Sequence, residues 1–133
     1  MLSVLRIEFA VSDTFDMTVT PSQFYLIANA LNGAEQNHRV LSQNIANVNT
    51  PGFKSREISF DDFIRQIQSP DANRQILDNL PVQLTQGLES RKDGNNVDID
   101  HQLTQLKKNN LLFQTYSHLL ASKMSMMREA TNG

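Results

Sequence analysis

Residues 41–54 read LSQNIANVNTPGFK. Leu41, Ile45 and Val48 fall on one helical face, and Asn44, Asn47 and Asn49 set carboxamides around them. Pro51 has no backbone donor, and its ring disfavours helix at Thr50. Gly52 allows a backbone turn that other residues resist. The stretch therefore predicts a long helix that ends at a defined place and a chain that then changes direction. It holds no acid, nucleophile or metal-ligand set, so it points to assembly before catalysis.

Upstream of this stop, the helical pattern begins at Thr20-Pro21-Ser22-Gln23. Thr20 suits a cap, Pro21 the first helical position, and Gln23 completes a capping box. Phe24, Ile27, Leu31, Ala34, His38, Leu41, Ile45 and Val48 then alternate steps of three and four, an a/d seam over about four heptads. Such a helix is about 42 Å long. Gly33 inside it costs about 1 kcal/mol relative to Ala. A close helix neighbour or a neutral surface position would each account for it.

A second helix is expected from Asp98 to Asp100 onward, where carboxylates suit the positive end of the helix dipole. Ile99, Leu103, Leu106, Asn110, Phe113, Ser117, Leu120, Met124 and Met127 repeat the same alternation. Leu111, Leu112, Tyr116, Leu119 and Met126 widen the apolar face beyond what one partner helix covers. That width argues for contact with other subunits. His38, Asn110 and Ser117 interrupt the seams, and polar residues there either fix register or point to solvent.

Between the two lies a weaker pattern. Ile58, Phe60, Phe63, Ile64 and Ile67 fit one short amphipathic helix, Asp71 to Leu80 a further turn or two, and Val82 to Leu84 an extended run. Pro70, Pro81, Gly87 and Gly94 break the rest, and Glu89 to Asn96 reads as polar loop. The fold class expected is all-α dominated: two long terminal helices forming an antiparallel coiled coil around a partly irregular middle. Residues 1–19 form a flexible tail, 20–50 the N-terminal helix, 51–97 the middle segment and 98–133 the C-terminal helix.

Residue chemistry gives no catalytic or metal centre. Asp61 and Asp62 are neighbours that diverge on a helix, whereas an acid/base pair needs convergence; capping or solvation explains them. Asp93, Asn95 and Asp98 fail the calcium-loop pattern because Gly94 stands second rather than sixth; turn formation and N-capping explain them. His38, His101 and His118 lack the i, i+4 spacing of a helical metal site. No phosphate loop or nucleophile elbow appears. No enzyme activity and no cofactor is expected.

Composition bounds the partners. The chain has 133 residues, a net charge of −2 and no cysteine, so it is one domain at most, without disulfides or a basic footprint for nucleic acid. No stretch nears the roughly 20 apolar residues that cross a bilayer, so no direct membrane insertion is expected. Arg6, Glu8 and Asp13 interrupt the weakly apolar start, which argues against a cleaved secretory signal. Met17 is a second candidate start. Thirteen Asn and eleven Gln are enough to bridge surfaces without burying charge.

SQNIANVNTPGFK is a close variant of the N-terminal signature of the flagellar rod and hook family, which this chain resembles. A second block, DGNNVDID at 93–100, and the short middle resemble the proximal-rod members in particular. The resemblance implies a structural subunit of the bacterial flagellar basal body rod, a hollow drive shaft that transmits torque and conducts exported proteins. It implies export through the flagellar type III apparatus with information in the first ~20 residues and no signal cleavage. Its implied partners are the rod subunits FlgC, FlgF and FlgG, the adaptor FliE and the membrane-embedded ring protein FliF. The signature turn is Asn44, Asn47, Asn49, Pro51 and Gly52. The expected assembly seams are Leu31, Leu41, Ile45 and Val48 on the first helix, and Leu103, Leu106, Phe113 and Leu120 on the second. The run Met1 to Val19 is longer than that resemblance leads one to expect. The alternatives are a cytoplasmic coiled-coil adaptor or export chaperone, or another subunit of the rod and hook family.

Overall fold

The computed structural model describes residues 21–70 and 79–133. The expected N-terminal tail and most of the expected turns at Asp71 to Leu80 lie outside the described residues. In chain order the elements are α1 (Pro21–Ala46), β1 (Arg56–Ile58), α2 (Phe60–Gln68), β2 (Val82–Leu84) and α3 (Ile99–Asn132). Among the described residues the fold is helix-dominated, with one small two-stranded antiparallel sheet.

Pro21 opens α1, as its fixed φ and missing donor favour. The helix runs about 39 Å and gives way after Ala46 to tight turns, in which the Val48 N–H donates to the Ile45 carbonyl and the Thr50 N–H to that of Asn47. Helix α3 starts where Asp98 caps it, its Oδ1 accepting from the His101 N–H at 3.1 Å. It runs about 51 Å, so it outreaches α1.

The middle segment departs from its expected form at one residue. Ile58 belongs to β1, not to the short helix. Ser59 then caps α2 through its hydroxyl, which accepts from the Asp62 N–H at 3.3 Å, so the helix cannot extend back to Ile58. Val82–Leu84 is β2, and the register pairs Arg56 with Leu84, Glu57 with Gln83 and Ile58 with Val82. Phe63 on α2 and Leu80 come against α1 at Gly33. A Cβ there would lie 3.0 Å from the Phe63 ring and 3.4 Å from Leu80. Of the two accounts of this glycine, close approach is the one the packing supports.

Among the described residues the buried apolar set is small: Ile27, Ala34, Val40, Leu41, Leu80 and Val97. More polar residues are buried than apolar ones: Asn29, Asn44, Ser55, Ser59, Asn95, Asn96, Gln102 and Asn109. Directional hydrogen bonds therefore have a larger share in specifying this interior than apolar area does.

Candidate assembly site

The two sequence blocks, 41–54 and 93–100, meet in space. Helix α1 ends at Ala46, and the turn residues 47–50 that follow it carry backbone carbonyls that can each accept a second hydrogen bond. The Asn95 Nδ2 group donates to two of these end-region carbonyls, Asn47 at 2.9 Å and Thr50 at 2.8 Å. Arg91 donates to a third, that of Val48, where a cation also favours the negative end of the helix dipole. The Gly52 N–H donates to the Asp93 carbonyl at 2.8 Å, and the Asn96 N–H to the Phe53 carbonyl at 3.3 Å. Asn96 Oδ1 accepts from the Ser55 N–H at 2.7 Å. Both central glycines have positive φ, +73° at Gly52 and +80° at Gly94, and a Cβ on Gly94 would stand 3.4 Å from the Gly52 Cα. The two backbones come into contact there, and the positive φ at both positions is what favours glycine.

The 93–98 loop is itself folded by its short polar side chains. Asp93 Oδ1 accepts from the Asn95 N–H at 3.0 Å, and Asn95 Oδ1 accepts from the Val97 N–H at 2.7 Å. The buried Asn95 thus uses both ends of its amide: one shapes its own loop, the other caps α1.

From this interlock a ladder of carboxamides runs between α1 and α3. Asn44 is fully buried. Its Nδ2 donates to the Arg56 carbonyl at 2.7 Å and to Gln102 Oε1 at 3.0 Å, while its Oδ1 accepts from the Arg56 N–H at 3.0 Å. The side chain so imitates a strand along the outer edge of β1. Gln102 passes the chain of bonds on to the Ser55 hydroxyl at 3.3 Å. One heptad away, Asn37 Nδ2 donates to Asn109 Oδ1 at 3.0 Å, and Asn109 Nδ2 to the Ala34 carbonyl at 2.8 Å. The pairs advance in opposite senses along the two helices, so α1 and α3 run antiparallel.

The N-terminal block alone, residues 24–54, matches the family model described as flagella basal body rod protein. Over 121 residues the chain is 31% identical to the flagellar basal body rod protein FlgB of Aeromonas hydrophila, covering 78% of this chain and 88% of the relative. The chain belongs to the FlgB family of flagellar basal body rod proteins. Two further members are more divergent. The Bacillus subtilis FlgB is 25% identical over 117 residues, covering 80% of this chain and 91% of the relative. The Escherichia coli FlgB is 28% identical over 116 residues, covering 74% and 84%.

Within this FlgB-family chain the signature residues divide their work. Asn44 is the central rung of the ladder. Asn47 donates from Nδ2 to the Gln43 carbonyl at 2.8 Å and accepts at Oδ1 from the Thr50 hydroxyl at 3.2 Å, which holds the turn. Asn49 and Pro51 are exposed at its tip, and Gly52 makes the backbone contact with the second block.

The expected seams divide differently. Leu41 is buried, and Leu31, Ile45, Val48, Leu106 and Leu120 are half-buried. Leu103 and Phe113 are 40% and 43% exposed in the isolated chain. The seam inside the chain follows Ile27, Ala30, Ala34, Asn37, Leu41 and Asn44. It shares every second position with the apolar reading and takes the others one residue earlier. On α3 the buried carboxamides Gln102 and Asn109 likewise stand one residue before Leu103 and Asn110. His38 and Asn110, read as candidate register residues, are exposed; Asn37 and Asn109 occupy the seam instead. Apolar periodicity selects the more hydrophobic of two adjacent stripes, and here the intramolecular contact uses the more polar one. Ser55, Asn95, Asn96, Gln102 and Asn109 were not singled out from sequence as site residues. The signal available for Asn95 and Asn96 was the asparagine density of the second block; Ser55, Gln102 and Asn109 lie outside both blocks.

Proposed function

We propose that this chain is built into the proximal rod through the apolar stripe that α3 leaves uncovered. Family membership makes it a structural subunit of the flagellar basal body rod; the proposal concerns how it is held there. Because α1 takes the carboxamide stripe of α3, the neighbouring heptad stripe faces outward. Ile99, Leu103, Phe113, Met124 and Met127 are all exposed along it. A mainly apolar stripe along so long a helix, broken by Asn110 and Ser117, favours burial against another helix. Leu31 and Ile45 on α1, with Val48 in the turn just beyond it, form the corresponding half-covered stripe. Neighbouring subunits then complete a coiled coil that the antiparallel α1–α3 pair begins, and stacked pairs line a hollow shaft.

In this reading the subunit transmits torque through many small interlocking contacts and lines a channel for exported proteins. It has no catalytic role. Its neighbours are FlgC, FlgF and FlgG, with FliE and the FliF ring at the base. The flagellar export apparatus delivers it to the periplasmic rod without cleavage of a signal.

The exposed α3 stripe carries this reading, and Leu103→Asp with Phe113→Asp tests it. Both side chains are partly exposed in the isolated chain, so each change costs about 1 kcal/mol in folding. Assembly would instead bury unpaired carboxylates. The expected result is a folded protein absent from washed basal bodies and cells that do not swim. Motile cells whose rods contain the double variant would overturn the proposal.

A further inference from the structure

The rungs of the ladder repeat at one interval on both helices. Asn37 and Asn44 are seven residues apart on α1, and so are Gln102 and Asn109 on α3. Asn and Gln offer the same donors and acceptor at their tips. If α3 moves one heptad along α1, about 10.5 Å, one carboxamide still faces another. Displaced one way, Asn44 meets Asn109; displaced the other way, Asn37 meets Gln102. The next position outward sets Ala30 opposite Tyr116, which line one cavity with Asn37 and Asn109. A small residue there offers little steric resistance to a shift. The two rungs by themselves discriminate only partly between registers, since each displacement keeps one and loses the other.

The interlock is not degenerate. Gly52 meets Gly94 at a single point, and Asn95 reaches the Asn47 and Thr50 carbonyls only when residues 93–96 stand beside the end of α1. We infer that the Gly52–Gly94 contact and the Asn95 cap are the register key of the helix pair, excluding heptad-displaced states that the carboxamide ladder alone would admit. The ladder supplies hydrogen bonds at any of these registers, and the interlock chooses one. For a load-bearing subunit, a consequence that rests on the rod reading, the interlock is then the part that resists axial shear between α1 and α3.

Disulfide trapping reads the register whether or not the rod reading holds, and the chain has no cysteine to interfere. Two positions on each helix suffice: Gln23 and Ala30 on α1, Tyr116 and Lys123 on α3. In the native register, Ala30→Cys cross-links with Tyr116→Cys, and Gln23→Cys with Lys123→Cys. In displaced registers the partners are Ala30→Cys with Lys123→Cys, or Gln23→Cys with Tyr116→Cys. With the interlock intact, only native pairs should form under mild oxidation. Adding Gly94→Val and Asn95→Ala to the full chain should raise at least one displaced pair to a yield comparable with the native pair. Gln102→Leu with the interlock intact should still give native pairs only. Native pairs alone in the interlock variant, or no cross-link at all, would overturn the inference. So would displaced pairs in the Gln102→Leu chain.

Discussion

Replacing Asn44 with Ala removes three hydrogen bonds at once. The Arg56 N–H and carbonyl lose their partner, and so does Gln102 Oε1. Gln102 is only 3% exposed, so water cannot readily take the vacant place, and a buried orphan acceptor costs about 1–3 kcal/mol. Arg56 is exposed as a residue, so its backbone groups recover part of their solvation and lose about 0.5–1 kcal/mol each. Together the change costs about 3 kcal/mol, a large share of the roughly 5–15 kcal/mol that holds a domain folded. With an m-value near 1.5 kcal/mol per molar urea, the midpoint falls by about 2 M. Urea titration of the purified chain, followed at the helix band of far-UV circular dichroism, measures this directly. Gln102→Leu provides the second arm of a cycle: it leaves Asn44 bonded to Arg56, and the double variant should be less destabilised than the two single losses added together. A loss below about 1 kcal/mol for Asn44→Ala would refute the reasoning, because it would mean that the rung is not the buried anchor of the helix pair.

Asn95→Ala takes the cap from the Asn47 and Thr50 carbonyls and the acceptor from the Val97 N–H; it should cost about 2–3 kcal/mol. Hydrogen exchange should show the amides of the last α1 turn losing protection before those near Ile27. Gly33→Ala should be near neutral, since about 1 kcal/mol of helix propensity is offset by the close Phe63 ring. Gly33→Leu should lower stability by about 1–3 kcal/mol through overpacking, and a Gly33→Leu chain with an unchanged urea midpoint would contradict the docking of Phe63 and Leu80 on α1.

The helices were legible because long-period patterning and local chemistry agree. Pro21 and Asp98 mark the starts of α1 and α3, whereas α1 ends at Ala46, four residues short of the expected end at Thr50, because the chain already turns at 47–49. The extended run Val82–Leu84 was legible for the same reason, bounded by Pro81 and Gly87. Ile58 was misplaced by one element because it is an apolar residue directly before the helical run Phe60, Phe63, Ile64 and Ile67, while the Ser59 cap that excludes it acts through a single hydroxyl. The candidate site was half legible. The signature residues were visible as a block, and DGNNVDID as another, but nothing in their spacing says that residues 41–48 positions apart share hydrogen bonds. The seam was displaced by one residue on both helices for a physical reason. Hydrophobic periodicity weighs Leu31 above Ala30, Ile45 above Asn44 and Leu103 above Gln102. A carboxamide that finds a buried partner reverses that order. The apolar stripes so identified remain real features of the chain, and their exposure is what the rod proposal uses.

The most direct test is fractionation of basal bodies from cells that express a tagged full-length copy as their only source of this chain. The account predicts the tag in washed hook–basal bodies, at the level of a rod component, and its loss from that fraction when type III export is disabled. A chain found wholly in the cytoplasm as a soluble dimer, with basal bodies complete without it, would contradict the account.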